Sequence, residues 1–176
     1  YARYKTGMTT FGIAFGSNLG DRAANLRRGL ELLLARLPES ARLTARAGWY
    51  ETEPVDCAPG TQAFLNSVIE IEADLSPAEM HAHLQAVEQA MGRPAVREKN
   101  APRTLDLDLL YAGGAVSADP ALLLPHPRLH QRRFVLAPLA EARPRLVLPG
   151  FEQSVSGLLA ALPDDPSGVR FMGPWR

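Results

Sequence analysis

Ser76-Pro77-Ala78-Glu79 fixes the start of a helix more firmly than any other stretch of the chain. Serine at the cap with glutamate three residues on makes a capping box, and proline at the first helical position is preset in φ and has no N–H to leave orphaned. Met80, Leu84, Val87 and Met91 continue as one apolar stripe, and Gly92 ends it. Directly before the cap lies "FLNSVIEIEADL", an extended segment that alternates with period two. Leu65, Ser67, Ile69 and Ile71 share one face; Phe64, Asn66, Val68 and Glu70 share the other. A strand that runs straight into a capped helix restricts the chain to a mixed α and β fold.

The remaining elements extend that pattern. "TFGIAFGSNLG" sets Phe11, Ile13 and Phe15 against Gly12, Ala14 and Gly16, which predicts a strand with one bulky face and one nearly bare face on which a helix could pack closely. After Gly20, Asp21 can cap a helix with Leu26, Leu30, Leu33, Leu34 and Leu37 as its stripe, ended by Pro38. "RLTARAGWYET" reads as one strand, and "RTLDLDLLY" as another after the polar stretch "RPAVREKNAPR". Beyond "AGGAVS", a turn, come the proline-punctuated "LLLPHPRLHQRRF", a mostly helical "VLAPLAEA" and a short final helix in "SVSGLLAAL". The order strand, helix, strand, strand, helix, strand predicts an α+β, ferredoxin-like βαββαβ core, an antiparallel sheet with helices packed on one face, plus C-terminal additions. Residues 1–10 read as an extension or expression remnant, and 11–176 as a single domain.

Size and charge narrow the function classes. The 176 residues suffice for a core without disulfide or metal staples, and 19 basic residues balance 19 acidic ones, so no overall basic field draws nucleic acid or anionic membrane. No apolar run approaches the ~20 residues of a membrane span, and the single cysteine, Cys57, cannot form an internal disulfide. A soluble chain in a reducing compartment, the cytoplasm, is the expectation, with no nucleic-acid or membrane partner.

The chemistry concentrates in "RTLDLDLLY". Asp106 and Asp108 fall on one strand face with Cα atoms roughly 7 Å apart. Such a pair can reach one magnesium ion or two adjacent ones, which keep waters and phosphate oxygens as their other ligands. Asp-x-Asp also occurs on plain exposed strands. Two poor strand formers among leucines, with Arg103 beside them, favour the metal reading. Arg93, Arg97, Lys99, Arg128, Arg132 and Arg133 add cations nearby, whereas no glycine-rich phosphate loop is present. Phe64 and Asn66 share a face suited to a flat heterocycle with amide-like edges, or to ordinary core and edge packing. His81 and His83 point different ways on a helix and read as surface residues, while His126 sits in a rigid turn between prolines where binding is open. Cys57 has no neighbour that would activate a thiol.

Taken together, "GSNLGDR", "YETEPV", "FLNSVIEIE", "QAVEQAMGR", "APRTLDLDLLYAG" and "PHPRLHQRRFVLAPLAE" resemble the 6-hydroxymethyl-7,8-dihydropterin pyrophosphokinases of folate biosynthesis, over roughly residues 11–145. The resemblance implies an enzyme that moves pyrophosphate from ATP to the pterin hydroxymethyl group with two Mg2+ ions, releasing AMP. It implies that Asp106 and Asp108 hold the metals and, with Arg93 and Arg103, form the catalytic group. Gln85, Glu88, Arg93, Arg103, His126 and Arg132 would contact ATP. The pterin would lie between Phe64 and Phe134, with Asn66, Thr52, Pro54 and the backbone near Val55 reading its edges. A monomer acting only on these small molecules is expected. Asn100 stands where some members carry an aromatic residue, and Pro127 where some carry tyrosine.

Two other readings share these residues. A ferredoxin-like RNA or regulatory module would stack bases on the sheet, but the aspartates would repel a phosphate backbone. A metal-dependent phosphohydrolase would use the same aspartates and transfer to water.

Overall fold

The computed structural model describes residues 7–54, 60–93, 102–163 and 168–175. In chain order its elements are β1 (Thr9–Ser17), α1 (Arg22–Arg36), β2 (Arg42–Arg46), β3 (Trp49–Thr52), β4 (Phe64–Ala73), α2 (Pro77–Ala90), β5 (Asp106–Ala112), β6 (Ser117–Asp119), β7 (Leu122–Leu124), α3 (Arg133–Ala142), α4 (Val155–Ala161) and β8 (Arg170–Gly173). The main sheet runs β5, β1, β4, β3, β8, with β2 also on β4, and every pairing is antiparallel. This is the predicted α+β, ferredoxin-like core. β1 begins at Thr9, two residues before the expected start of the domain, and pairs Thr9 with Ala73.

Both predicted helix starts are built as read. Asp21 accepts the Ala24 N–H, and Ser76 and Glu79 close a reciprocal capping box. The bulky faces of the strands point at these helices. Phe11, Ile13 and Phe15 of β1, with Leu65, Ile69 and Ile71 of β4, meet Leu26, Leu30 and Leu33 of α1 and Met80, Leu84 and Val87 of α2. Each such side chain contributes about 1.5–3 kcal/mol by leaving water. Leu34 departs from the expected stripe and is 39% exposed, because it lies off the arc that Leu26, Leu30 and Leu33 define.

The bare face of β1 is covered in two ways: at Gly12 by the ring of Tyr111, so closely that a Cβ there would lie 2.0 Å from it, and at Ala14 by the apolar cluster to which α3 and α4 contribute. The Tyr111 hydroxyl donates to Glu70 at 2.7 Å, and Glu70 also receives Thr44 at 2.9 Å and Arg143. Beyond this buried network Val68, Leu110 and Tyr111 join Val135, Leu136 and Leu139 of α3 and Val155 of α4 in a second core. The C-terminal additions thus cover the face that α1 and α2 leave open.

Three features were not read from sequence. "RLTARAGWYET" breaks at Ala47-Gly48 into β2 and β3, with Gly48 bonded to Glu141 Oε2 at 3.0 Å instead of continuing the ladder. The chain's last stretch forms β8 against β3, and Trp175 stacks on Trp49 with centroids 4.2 Å apart and meets Phe15 edge-on at 5.9 Å. A small hairpin, β6 and β7, also occupies part of the proline-punctuated stretch and drops Leu124 into the first core.

Candidate active site

The register brings the predicted site residues into one row. Gly16 of β1 pairs with Asn66 on one side and Asp106 on the other, and Asn66 pairs in turn with Tyr50. A Cβ on Gly16 would touch Asn66 Oδ1 at 3.4 Å and Asp106 Cβ at 3.9 Å, so the glycine leaves a bare strip of floor between amide and carboxylate. Asp108 follows one row further along, opposite Ala14. β5 lies at the sheet edge, and the side chains of Asp106 and Asp108 are 24% and 40% exposed, open to a ligand while their leucine neighbours are buried.

Three arginines surround the carboxylates. Arg103 NH1 lies 2.9 Å from Asp106 Oδ2, Arg93 NH1 lies 3.9 Å from Asp106 Oδ1, and Arg132 NH1 lies 3.7 Å from Asp108 Oδ2. Burial holds the Arg132 guanidinium below its ordinary pKa, helped by Arg128 and opposed by Asp108 and Asp106. Two of these arginines also cover the predicted aromatic pair: Arg103 stands over Phe64 at 5.8 Å and Arg132 over Phe134 at 5.5 Å. The carboxylate cluster and the aromatic pair therefore form one connected site.

Asn66 is oriented from below. Its Nδ2 donates to Thr52 Oγ1 at 3.0 Å and to the Tyr50 carbonyl at 3.4 Å, and both Thr52 and Asn66 are buried. Pro54 lies half-buried just beyond β3, while Val55 falls outside the described residues. Arg22, missed from sequence, holds the approach to Phe64: it donates to the Ala63 carbonyl at 2.6 Å and pairs with Glu51 at 2.8 Å. Hydrogen bonds from Arg22 and Arg170 hold the Glu51 carboxyl below the usual carboxylate range, against the opposing effect of burial.

Glu88 is more enclosed than a simple nucleotide contact would require. It is 3% exposed, accepts the Leu107 N–H at 2.9 Å and pairs with Arg93. Leu107 lies between the two aspartates, so one buried carboxylate braces both β5 and the first residue of the polar stretch. Burial pushes the Glu88 carboxyl up, against the pull of the Leu107 N–H and Arg93. Gln85, one turn earlier on α2, is exposed and bonded to His81 at 3.1 Å. His126 is half-buried, its N–H held by the Leu110 carbonyl at 2.8 Å. Burial lowers its pKa, with Arg132 and Arg128 acting the same way and Asp108 opposing, so the ring is neutral near pH 7.

Not every predicted cation joins the site. Arg133 donates to the Leu162 and Pro163 carbonyls at 3.0 and 2.9 Å and ties down the end of α4. Arg97, Lys99, Asn100 and Cys57 lie outside the described residues. Among the described residues no group of three or more His, Cys, Asp or Glu could hold a metal, so a cation here would rest on the two aspartates plus ligand oxygens. That donor set fits magnesium, which commonly keeps waters and phosphate oxygens beside one or two carboxylates. No helix among the described residues is long and apolar enough to cross a membrane.

An antiparallel α+β sheet carrying a paired carboxylate ringed by arginines, with two phenylalanines beside it, has the chemistry to receive a phosphate-bearing group next to a flat ring. Residues 12–144 match the family model for 7,8-dihydro-6-hydroxymethylpterin-pyrophosphokinase (HPPK). The chain is 39% identical over 163 residues to a 2-amino-4-hydroxy-6-hydroxymethyldihydropteridine pyrophosphokinase of Methylorubrum extorquens, covering 92% of this chain and 98% of that one. It is 42% identical over 130 residues to the protein of that name from Bacillus subtilis, covering 73% and 75%. Among solved structures, a Plasmodium falciparum HPPK-DHPS triple mutant shares the fold at TM-score 0.71 and 12% identity, over 90% of this chain and 45% of that one. The chain belongs to the 6-hydroxymethyl-7,8-dihydropterin pyrophosphokinase family. Its activity is the ATP-dependent transfer of pyrophosphate to the pterin hydroxymethyl group in folate biosynthesis.

Proposed function

We propose that Asp106 and Asp108 hold two Mg2+ ions together with ATP, that Arg93, Arg103 and Arg132 bind its phosphates, and that the pterin lies between Phe64 and Phe134. One observation carries this reading: Arg103 and Arg132 each touch a carboxylate of the pair and a ring of the aromatic pair. A ligand between the rings is thereby set beside a ligand on the carboxylates, as transfer between two substrates requires.

Bound at the aspartates, magnesium would neutralise phosphate charge and polarise the group being transferred. The rest falls to the chain's own residues. Arg93, Arg103 and Arg132 stand against the carboxylates, and phosphate oxygens offer guanidinium groups bidentate partners. Asn66, fixed by Thr52 and Tyr50, presents its amide to the pterin edge, while Pro54 flanks the ring. The hydroxymethyl oxygen attacks the β-phosphorus in line, the bond from that phosphorus to the bridging oxygen breaks, and AMP leaves with that oxygen. Such transfer depends chiefly on positioning and charge stabilisation, which matches a site with many cations and no evident general base. Gln85, His126 and Glu88 complete the nucleotide side of the proposal, with Glu88 acting through Arg93. A cytoplasmic monomer belongs to the same reading, and gel filtration tests the monomer.

The test is incubation with ATP, Mg2+ and 6-hydroxymethyl-7,8-dihydropterin. AMP release that requires both pterin and Mg2+ is the expected result. AMP or phosphate released equally without pterin would point to hydrolysis, and release unaffected by chelation would remove the metal from the account.

A further inference from the structure

The "GSNLG" stretch carries a residue that the site reading leaves unused. Asn18 directly follows β1, is 1% exposed, and grips Arg103 at two points. Its side-chain Oδ1 accepts the Arg103 N–H at 2.8 Å, and its own N–H donates to the Arg103 carbonyl at 3.2 Å. The amide's orientation follows from this pairing, because only the oxygen can accept from an N–H. The contact carries the β1 and β5 association past its last paired residues, Gly16 and Asp106, to a point where the chain has left the ladder.

The arrangement is costly for stability alone. Among the described residues, neither Asn18 Nδ2 nor Arg103 Nε, both buried, has a hydrogen-bond partner. A buried donor left unpaired bears its full desolvation cost, so the amide is poorly explained as a fold-stabilising choice. What it does achieve is to fix both backbone polar groups of one residue, Arg103, and with them the two peptide planes that flank its Cα. Arg103 then has its main chain anchored by Asn18 and its guanidinium engaged by Asp106 and Phe64.

We propose that Asn18 is a positioning residue for pyrophosphoryl transfer: its two-point hold on the Arg103 main chain aims the Arg103 guanidinium into the space between Asp106 and Phe64. The proposal rests on the reading of Arg103 as a phosphate-binding, charge-neutralising group. Asn18 acts only through Arg103 and touches neither substrate. Loss of the side-chain acceptor frees the Arg103 N–H to rotate toward solvent and lets the guanidinium drift from its place.

A double-mutant cycle on the full chain tests it, with kcat, KM for each substrate and melting temperature measured for Asn18→Ala, Arg103→Ala and the pair. Asn18→Ala is expected to lower kcat roughly ten- to a hundredfold, the scale on which ångström misplacement of a catalytic group acts, with KM for the pterin nearly constant. In the Arg103→Ala background the same substitution is expected to change kcat less than about threefold, because the residue through which it acts is gone. Asn18→Asp, which keeps the acceptor, recovers most of the loss. If Asn18→Ala does not fold, Asn18→Ser, too short to reach the Arg103 N–H, replaces it in the cycle. A kcat for Asn18→Ala within twofold of the parent overturns the proposal, as does a loss that multiplies undiminished onto Arg103→Ala. Full turnover in Arg103→Ala alone overturns the role given to the arginine and the inference built on it.

Discussion

The guanidinium of Arg103 lies over the ring of Phe64, 5.8 Å from its centroid, while its NH1 reaches Asp106 at 2.9 Å. Phe64 therefore has one face already shielded by the cation that is proposed to bind the phosphates. Replacing Phe64 by leucine keeps bulk but removes the flat π surface. KM for the pterin is expected to rise about tenfold, the scale of a lost aromatic contact, with kcat falling less. Steady-state kinetics with the pterin varied at saturating ATP checks this.

Glu88 gives a second prediction. Glu88→Gln retains an oxygen for the Leu107 N–H and loses the charge that holds Arg93. Turnover is expected to drop on the order of tenfold, about the worth of a charge-assisted hydrogen bond, with little change in melting temperature. Glu88→Ala leaves the Leu107 N–H buried and unpaired and should also cost about 1–3 kcal/mol of stability in urea unfolding.

The tail strand gives a third. Trp175 is 8% exposed and stacked on Trp49, closing the sheet beyond the elements that a sequence reading supplies. Trp175→Ala should destabilise the domain by about 3–5 kcal/mol, the usual range for removing a buried large aromatic, read by thermal unfolding.

Acid stability depends on Glu70. Burial alone would raise its carboxyl, but hydrogen bonds from Arg143, Tyr111 and Thr44 outweigh burial and hold it below its ordinary value. The folded pKa is depressed, so the unfolded chain binds the proton more readily as pH falls. The stability this group contributes is present above its unfolded pKa of about 4.3 and is lost as pH falls through the lower, folded value. Urea midpoints measured across that window should fall with pH, and Glu70→Gln should flatten the dependence while lowering stability at pH 7.

What could be read from the sequence followed from short periods. Alternation put Phe64 with Asn66 and Asp106 with Asp108, and the capping box placed α2, because each rests on residues a few positions apart. The links between distant segments were not readable this way. Glu70 meets Tyr111 and Arg143 across 41 and 73 residues, and nothing local to "RPRLV" marks Arg143 as their partner. The break at Gly48 and the strand β8 also depend on each other: a Cβ at Gly48 would lie 2.5 Å from the Gly173 carbonyl, an approach that only folding reveals. Arg133 looked like Arg132 in sequence, yet one turns to the carboxylates and the other to the end of α4.

The carboxylate pair itself bears the central claim. Asp106→Asn and Asp108→Asn remove one charge each with little change of shape, and pterin-dependent AMP release can be compared with the parent at saturating ATP and Mg2+. A loss on the order of a thousandfold or more is expected for each, the result of withdrawing charge stabilisation of several kcal/mol, with the fold intact by circular dichroism. Turnover within tenfold of the parent in either variant would contradict that claim.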